Sequence, residues 1–577
     1  MNHSFSTLRL GLLAALGATA LLAGCGGDDD DNTPAPLPRL SAATPGTLSG
    51  ACADLAAKLS GLAHTTIATT VDVPAGTLTV AGQPVPQHCL VTGSMYPQRL
   101  GLDGVTYAIG FEMRLPNAWN GRFFYQGNGG IDGSVATATG AVNGGAGLTN
   151  ALAMGFAVIS SDAGHVGSQG PNFGADPQAR LDYGYQAAQK LTPMAKSVIQ
   201  TAYGKAPDRS YFGGCSNGGR HTMVAMNRLA DQYDGYLAGA PGYRLPKAAI
   251  ANIFGAQRYA SVATTAGDLS SGFTTAERRV VANAVLAKCD ALDGATDGLV
   301  QDVEACRAAF NFATDVPTCA GARDGTCLSS DQKVALAPIF SGATTSTGVS
   351  FYASFPFDPG VAGGGVPFWE FFAPLVLDSG GVAIIWKVPP EPTATFNNAA
   401  AAAFALNLNI DQALAGIEAT NATFTESAMS FMTPPDPTNL ATLKNRGAKV
   451  MVYHGVADPI FSVDDTKAWY TGLMAKNGGD ASDFARFYRV PGMNHCSGGP
   501  ATDQFDMLTP LVAWVEQGTA PENITATARG TGNAAGVNAD LPADWAANRT
   551  RPLCAYPKVA RYNGTGDVNL AASFTCK

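Results

Sequence analysis

The stretch that decides the fold is Arg209-Ser-Tyr-Phe-Gly-Gly-Cys-Ser-Asn-Gly-Gly-Arg220. Its apolar start predicts a strand, its glycines predict a tight turn, and the following residues 221–232 predict a helix. Ser216 stands at the centre of a G-x-S-x-G motif within it. Such a turn lifts the serine hydroxyl above the sheet at a helix N-terminus, so Ser216 is the predicted nucleophile. The alternative is a structural glycine-rich turn with an incidental serine.

Strands and helices alternate on both sides of this motif. The alternation predicts an α/β fold, with a mostly parallel sheet and helices on its faces. Together with the elbow at Ser216 it predicts an α/β-hydrolase fold. The predicted strands are 108–115, 122–126, 156–160, 210–213, 449–454 and 484–490, and the predicted helices are 187–203, 464–476 and 505–516.

Residues 244–440 break the alternation. They hold four cysteines, many alanines and glycines, and scattered aromatic residues. We predict that they form a large lid domain inserted into the core. Residues 49–243 and 441–577 would then be the two parts of one α/β-hydrolase domain.

A serine hydroxyl needs a base, and the chain has seven histidines. α/β-hydrolases carry the acid and the histidine on loops after later strands, in the order serine, acid, histidine. His495 directly follows strand 484–490 and is the predicted base; the alternative is a structural loop histidine. Asp458 follows strand 449–454 and is the predicted acid, with Asp464 and Asp465 as competitors.

The N-terminus predicts export. Arg9 precedes an apolar run from Leu10 to Leu22, which is too short to span a bilayer and is typical of a signal peptide. The run ends in Leu-Ala-Gly-Cys25, which resembles a bacterial lipobox. We therefore predict a lipoprotein signal peptide over 1–24, lipidation at Cys25 and a flexible tether over 25–48. The alternative is an ordinary secretory signal cleaved nearby. The protein is expected at the cell envelope (outer membrane or periplasm) or secreted, with membrane contact only through this anchor.

Ten cysteines remain beside Cys25, and an even number in an exported chain predicts five disulfides. The alternative is several free, buried thiols. The sequence does not fix the connectivity. Joining the cysteines that lie close together along the chain would pair Cys52 with Cys89, Cys289 with Cys306, Cys319 with Cys327 and Cys554 with Cys576, leaving Cys215 and Cys496.

Those two remaining cysteines are the immediate neighbours of Ser216 and His495. A catalytic serine and histidine must approach to about 3 Å. Cys215 and Cys496 could then lie within disulfide range, with their Cα atoms about 5.5 Å apart. Such a bond would tie the serine turn to the histidine loop.

Composition excludes some partners. Of the 577 residues 46% are hydrophobic and 14% charged, which is typical of a globular protein. The formal net charge of −9 argues against a nucleic-acid partner. We expect a monomer that acts on a small molecule.

Three features together resemble a known family: Cys-Ser-x-Gly-Gly, the late His-Cys, and an aspartate in a His-Gly-x-x-Asp-Pro loop. They resemble the tannase/feruloyl esterase family over nearly all of the chain after about residue 50. The resemblance implies an α/β-hydrolase with a large lid, a triad of Ser216, Asp458 and His495, and a disulfide between Cys215 and Cys496.

The same resemblance implies that the substrates are esters of aromatic or phenolic acids, such as feruloyl or galloyl esters. Because the family also contains a hydrolase of mono(2-hydroxyethyl) terephthalate, that activity is the alternative. An alternative from another class is a non-catalytic surface lipoprotein that binds ligands through a decayed hydrolase fold.

A Ca²⁺ site in the lid is also implied. Three carboxylates lie among turn glycines in residues 289–299, and oxygen ligands suit Ca²⁺, although the spacing is not that of an EF-hand. By resemblance the ligands would be the side chains of Asp290, Asp293 and Asp297 and the carbonyls of Ala295 and Leu299. The alternative is a solvated acidic turn.

The sequence signals for the oxyanion hole and the substrate pocket are weaker than those for the triad. The backbone N–H of Asn217, directly after the nucleophile, is one predicted oxyanion donor. Gly129 or Gly130 in the stretch 126–130 is the other. Phe461, at a position where the family has an aromatic residue, and the lid residues Trp369 and Trp386 are expected to line the substrate, unless they belong to the core.

The charges of the lid bear on the choice of substrate. A free carboxylate on the substrate would favour an arginine clamp. Residues 351–445 contain no arginine and only two lysines, Lys387 and Lys444, so that Arg258 or Arg323 would have to reach in. This favours phenolic esters over a terephthalate monoester.

Overall fold

A mixed sheet organises the computed structural model, which describes residues 37–142 and 148–577. The predicted signal peptide and Cys25 lie outside the described residues. In chain order the strands of this sheet are β1 (Thr65–Val73), β2 (His88–Leu100), β3 (Thr106–Pro116), β4 (Arg122–Gln126), β5 (Ala157–Ser161), β6 (Arg209–Cys215), β7 (Gly235–Gly239), β8 (Lys449–Gly455) and β9 (Ala485–Val490).

The strand order across the sheet is β9-β8-β7-β6-β4-β5-β3-β2-β1. The strands from β9 to β5 in this order are parallel to one another, and β3, β2 and β1 continue the sheet in antiparallel pairing. The parallel part carries helices on both faces. Its strands are therefore apolar on both sides, and every residue of β7 and β8 is buried.

The longer helices are α1 (Ala187–Tyr203), α2 (Asn217–Arg228), α3 (Leu245–Ser261), α4 (Thr275–Cys289), α5 (Ser330–Ser341), α6 (Asn398–Asn407), α7 (Ile410–Glu418), α8 (Val463–Lys476) and α9 (Leu508–Gln517). Short helices lie at Leu55–Lys58, Pro177–Leu181, Val303–Ala309, Phe312–Asp315, Ala428–Met432 and Ala441–Asn445. Two-stranded pairs join Gly46–Thr47 to Ala118–Trp119, Thr79–Val80 to Gln83–Pro84, Asn523–Thr527 to Thr550–Cys554, and Ala560–Tyr562 to Phe574–Cys576.

The core lies in two layers, one on each face of the sheet. Alternate residues of a strand enter different layers, as Tyr211 and Phe212 of β6 do. Helices α1 and α8 cover the layer that contains Phe212, and α9 covers the layer that contains Tyr211. This alternation is the one that a two-sided parallel sheet requires.

The predicted α/β architecture is confirmed, with differences at the ends of elements. Each predicted strand is present within two residues of its expected bounds, and α9 begins three residues later than predicted. The prediction missed β1, β2 and β7. Strand β7 reads Gly-Tyr-Leu-Ala-Gly, which is short and has a glycine at each end, so it carries no alternating signal.

Between β7 and β8 the chain runs through residues 240–448, which we call the insert. It contains α3 to α7 and a long helix, Pro367–Trp386. Residues 37–577 form one unit by their contacts, so the predicted lid boundaries at 244 and 440 stay a prediction.

The long helix of the insert has the length and composition of a membrane span, with a mean hydropathy of 1.4, a feature that was not predicted. However, 61% of its most apolar window is buried inside the protein. Packing within the protein therefore accounts for much of its apolar character.

The structure contains five disulfides. They join Cys52 to Cys89, Cys215 to Cys496, Cys289 to Cys306, Cys319 to Cys327 and Cys554 to Cys576. These are the pairs expected above. Because such bonds persist in oxidising compartments, they are typical of an exported protein.

Candidate active site

Ser216 occupies the sharp turn between β6 and α2. Its backbone has φ of 65° and ψ of −128°, a conformation that few non-glycine residues adopt. The turn lies directly on the loop after β4. A Cβ on Gly218 would stand 2.3 Å from the carbonyl oxygen of Gly127, and one on Gly214 would stand 2.4 Å from the same atom. The glycines of the motif are thus required for backbone to pack on backbone.

The three residues predicted as nucleophile, acid and base come together in one chain of hydrogen bonds. His495 Nε2 is 2.8 Å from Ser216 Oγ, and His495 Nδ1 is 2.7 Å from Asp458 Oδ2. With Nδ1 protonated, the imidazole donates to the aspartate and accepts from the serine hydroxyl. This arrangement can withdraw the serine proton when the oxygen attacks an electrophile.

The Asp458 carboxylate is held as an anion. Burial alone would raise its pKa, but the neighbouring His495 and hydrogen bonds from His454 and His495 hold the pKa well below its usual range. Its other oxygen, Oδ1, accepts the backbone N–H groups of Ile460 and Phe461, each at 3.0 Å. The competing acids lie elsewhere: Asp464 pairs with Arg307 and Asp465 with Arg244.

His454 is a second histidine at the acid, and its sequence position predicted only the end of a strand. Its Nε2 lies 3.2 Å from Asp458 Oδ2 and 2.9 Å from the Phe461 carbonyl oxygen. Its Nδ1 lies 2.8 Å from the hydroxyl of Thr466. A protonated Nε2 therefore serves two acceptors, and His454 helps to orient the Asp458 carboxylate. Its place four residues before Asp458 was the only signal in the sequence.

The predicted oxyanion donors lie on the two sides of Ser216. Asn217 begins α2, and the loop from Gly127 to Gly130 runs over the turn, with the N–H of Gly127 donating to the Gly213 carbonyl at 2.8 Å. A Cβ on Gly129 would be 3.9 Å from Ser216 Cβ. Gly130 has φ of 63°. Gly129 is thus near the nucleophile and Gly130 follows it directly in the loop, so either glycine could supply the second donor.

Two of the three predicted aromatic residues flank the histidine. The Phe461 ring meets His495 edge to face with centroids 5.2 Å apart, and Trp369 of the insert does so at 4.7 Å. Trp386 is 2% exposed and lies against Gly381 within the insert. Its predicted contact with substrate stays a prediction.

Two further ties hold the histidine loop. The disulfide between Cys215 and Cys496 joins the residue before Ser216 to the residue after His495. Asn494 donates from its side-chain amide to the carbonyls of Ala457 at 3.1 Å and Gly360 at 3.0 Å. Asn494 thereby links the histidine loop to the acid loop and to the insert, a role that required non-local contacts and was not predicted.

In the acidic loop of the insert, residues 290–299, some carboxylate oxygens have hydrogen-bond partners and one has none. Asp290 accepts the backbone N–H groups of Asp297 and Gly298, and Asp297 pairs with the buried Arg551. Asp293 Oδ2 is buried without a hydrogen-bond partner, and burial, with the charges of the two neighbouring aspartates, raises the pKa of Asp293 to about 7. Among the described residues, no three His, Cys, Asp or Glu side chains are gathered as a metal cluster.

A serine on an elbow after a parallel strand, bonded to a histidine and a buried aspartate from two later loops, defines a hydrolase of the α/β-hydrolase fold. The chain belongs to the tannase and feruloyl esterase family, whose model matches residues 89–577. It is a carboxylic ester hydrolase, as the resemblance implied.

Several known proteins are similar to this chain. Mono(2-hydroxyethyl) terephthalate hydrolase of Piscinibacter sakaiensis is 40% identical over 535 residues, 86% of either chain. Probable feruloyl esterase B-2 of Neosartorya fischeri is 26% identical over 491 residues, 81% of this chain and 83% of that protein. Among solved structures, feruloyl esterase B from Aspergillus oryzae has a TM-score of 0.67 at 22% identity, covering 91% of this chain and 100% of that one. Tannin acyl hydrolase from Aspergillus niger has a TM-score of 0.67 at 21% identity, covering 93% and 96%. These two structures share the fold.

Proposed function

We propose that this protein hydrolyses esters of aromatic and phenolic acids through an acyl-enzyme on Ser216. The observation that carries the proposal is the position of His495, within hydrogen-bond reach of both Ser216 and Asp458. His495 takes the hydroxyl proton as Ser216 attacks the ester carbonyl, and Asp458 stabilises the imidazolium that forms.

The tetrahedral oxyanion is stabilised by the backbone N–H of Asn217 and by that of Gly129 or Gly130. His495 then gives its proton to the leaving alcohol, which departs. Water attacks the acyl-enzyme with His495 again as the base, and the acid is released. Each donor of an oxyanion hole contributes roughly 10²- to 10³-fold to turnover.

The aromatic acyl group is proposed to lie between the rings of Phe461 and Trp369. Phe461 belongs to the loop after β8 and Trp369 to the long helix of the insert, and both rings lie beside His495. The names of the similar proteins support an aromatic acid: one is a terephthalate monoester hydrolase, and others are feruloyl esterases.

A neutral aromatic acyl group is favoured over one with a free carboxylate. The cations named above for a carboxylate clamp have other partners: Lys387 pairs with Glu391, Lys444 with Asp483, and Arg323 with Glu277. The Arg258 guanidinium lies over the ring of Phe254.

Two experiments test this function. An active-site-directed aryl phosphonate should label the wild-type protein and not Ser216→Ala; no labelling, or equal labelling of both, would support a non-catalytic binding protein instead. Turnover of methyl ferulate and methyl gallate should then be measured, with loss of at least roughly 10⁴-fold in Ser216→Ala.

Hydrolysis of mono(2-hydroxyethyl) terephthalate is the second candidate, favoured by the 40% identity to the enzyme of that name. Comparing this monoester with bis(2-hydroxyethyl) terephthalate isolates the carboxylate, because both share the ring and the scissile bond. We expect a higher kcat/KM for the neutral diester. A preference for the monoester would favour the second candidate.

We further propose that the loop 290–299 binds Ca²⁺ as a structural ion. The buried, unpartnered Oδ2 of Asp293 and the charges of Asp290 and Asp297, which help to raise its pKa, support a cation there. The side chains of Asp290, Asp293 and Asp297 and the carbonyls of Ala295 and Leu299 would hold it, and its charge would offset theirs.

Thermal unfolding tests the Ca²⁺ proposal without reference to activity. Addition of Ca²⁺ after chelation should raise the Tm of the wild type and leave that of Asp293→Asn unchanged. Asp315→Asn, at a partly buried acid of the same insert that pairs with Lys288, is the matched control and should respond like the wild type. An equal response of all three proteins would contradict the proposal.

Export is supported by the five disulfides. We propose that Cys25 carries the lipid anchor at the cell envelope and that the protein is a monomer. Labelling with an alkyne fatty acid should mark the wild type and not Cys25→Ala, and light scattering gives the mass in solution.

A further inference from the structure

Two separate loops must supply the donors of the oxyanion hole, and a single side chain joins them. We propose that Asp132 is a positioning residue that holds the loop of Gly129 and Gly130 in a fixed position relative to the serine elbow. The inference rests on the proposed function, because it concerns the same catalytic site.

The Asp132 carboxylate bridges the loop and the elbow. Its Oδ2 accepts from Asn217 Nδ2 at 2.8 Å and lies 2.8 Å from His221 Nε2. Asp132 lies two residues after Gly130, and Asn217 is the residue directly after Ser216. The bridge therefore connects residues adjacent to both proposed oxyanion donors.

The far end of the Asn217 amide is fixed as well. Arg220 Nε donates to Asn217 Oδ1 at 2.6 Å, and the other nitrogens of Arg220 donate to the carbonyls of Gly184 at 2.7 Å and Tyr183 at 3.1 Å. The side chains of Asn217 and Arg220 are buried, at 2% and 0% exposure. With both ends bound, Asn217 cannot turn away from Asp132 without breaking a buried hydrogen bond.

The backbone around Asp132 is held in an unusual conformation. Asp132 has φ of 57°, a region where aspartate is tolerated better than most residues. Its N–H donates to the Gly129 carbonyl at 3.2 Å, and the N–H of Gly133 donates to the Asp162 carbonyl at 3.0 Å. The neighbouring turn thus aims the Asp132 carboxylate at α2.

A carboxylate close to a developing oxyanion would oppose catalysis unless its charge were offset. Arg220 supplies a buried positive charge beside the bridge. His221 is neutral at neutral pH, because burial and the adjacent Arg220 lower its pKa. His221 Nε2–H can then donate to Asp132 while Nδ1 accepts from Arg220 at 3.0 Å. The Asp132 carboxylate thus remains available as a hydrogen-bond acceptor, while the positive charge of Arg220 offsets its negative charge.

The test compares how tightly each variant binds a tetrahedral analogue of the transition state and how tightly it binds a planar carboxylic acid. Asp132→Gly removes the carboxylate and tolerates the positive φ, and Asp132→Asn keeps an acceptor oxygen at the same place. For each variant, kcat and KM with methyl ferulate are measured, together with the inhibition constants of an aryl boronate and of ferulate. The boronate forms a tetrahedral adduct on Ser216 that uses the oxyanion donors, and ferulate does not.

In Asp132→Gly we expect kcat to fall roughly 10²-fold and boronate affinity to fall in parallel, with KM and ferulate inhibition within about threefold of wild type. Asp132→Asn should recover at least about a tenth of the wild-type kcat. Asp234→Ala is the matched control, since Asp234 is a buried acid that accepts the Ser210 N–H at 2.9 Å at the opposite end of β6. It should lose stability and keep its boronate affinity.

An unchanged boronate affinity in Asp132→Gly, or an equal loss of ferulate and boronate binding, would overturn the inference and leave the proposed function intact. Absence of ester turnover by the wild type would overturn the proposed function and the inference with it.

Discussion

Backbone packs directly on backbone at the serine elbow, whereas side chains separate α3 of the insert from its neighbours at Gly255. A Cβ on Gly218 would stand 2.3 Å from the Gly127 carbonyl oxygen, but one on Gly255 of α3 would meet only side chains, the nearest at 3.9 Å. In the insert, rings such as Phe310 and Phe357 fill the space between segments, with centroids 4.9 Å apart.

The acid beside His495 differs in pKa from two buried acids of the insert. Every oxygen of Asp458 at the sheet edge is hydrogen-bonded, and the pKa lies below its usual range. In the insert, burial raises the pKa of Asp378 to about 7 and that of Glu370 to about 7. Asp458 is thus held as the charged partner that His495 needs, whereas the two acids of the insert are buried in surroundings that favour the protonated form.

The largest expected difference between the two regions comes from adding one methyl group to a glycine of each. Gly218→Ala should lower kcat/KM by roughly 10²- to 10³-fold, because the elbow must move away from the Gly127 loop. Gly255→Ala should keep full activity and stabilise the protein by about 0.5–1 kcal/mol, since alanine favours the helix. Steady-state kinetics and thermal unfolding measure both. Equal tolerance of the two substitutions would contradict the contrast.

Removing a disulfide from each region should have a smaller effect. Replacing Cys215 and Cys496 together by serine unties the elbow from the histidine loop, and we expect kcat to fall roughly 10- to 10²-fold. The same change at Cys319 and Cys327, which close a loop of the insert, should leave kcat within about twofold. The kcat of both variants is measured at a temperature where circular dichroism shows that they remain folded.

Trimming one aromatic ring probes where the insert meets the edge. Trp369→Ala should raise KM for methyl ferulate by about tenfold, because the ring beside His495 is lost. Phe372→Ala, on the exposed face of the same helix, is the control and should change KM little. If both variants behave alike, Trp369 acts through the helix and does not contact the substrate.

The smallest effect concerns stability and pH. With its pKa raised to about 7, the Asp378 carboxyl contributes stability that is complete below about pH 4 and lost as pH rises through 7. Asp378→Asn keeps an acceptor for Asn252 and should be more stable than wild type by roughly 1–3 kcal/mol at pH 8 and about equal at pH 5. Denaturant unfolding at both values checks this. A stability difference independent of pH would show that Asp378 is not buried as a neutral acid.

The sequence predicted most of the edge, because its signals are local. The glycines around Ser216 and the cysteines beside Ser216 and His495 lie next to the residues that they support. Asp132, Asn494 and the partner atoms of His454 could not be predicted, since each acts across loops that only the fold brings together. Strand β1 was missed because it is rich in threonine and largely exposed, and β2 because Gly93 and Pro97 interrupt it and it lacks the apolar run of a parallel strand.

The bond between Cys215 and Cys496 would also make full activity depend on an oxidising compartment. In the reducing cytoplasm these thiols would stay apart, and the histidine loop would be held to the elbow by weaker contacts alone. Oxidation after export would then complete the catalytic geometry. A chain without this bond would work more slowly by the roughly 10- to 10²-fold expected for the double serine variant, and it would gain full activity only where thiols are oxidised.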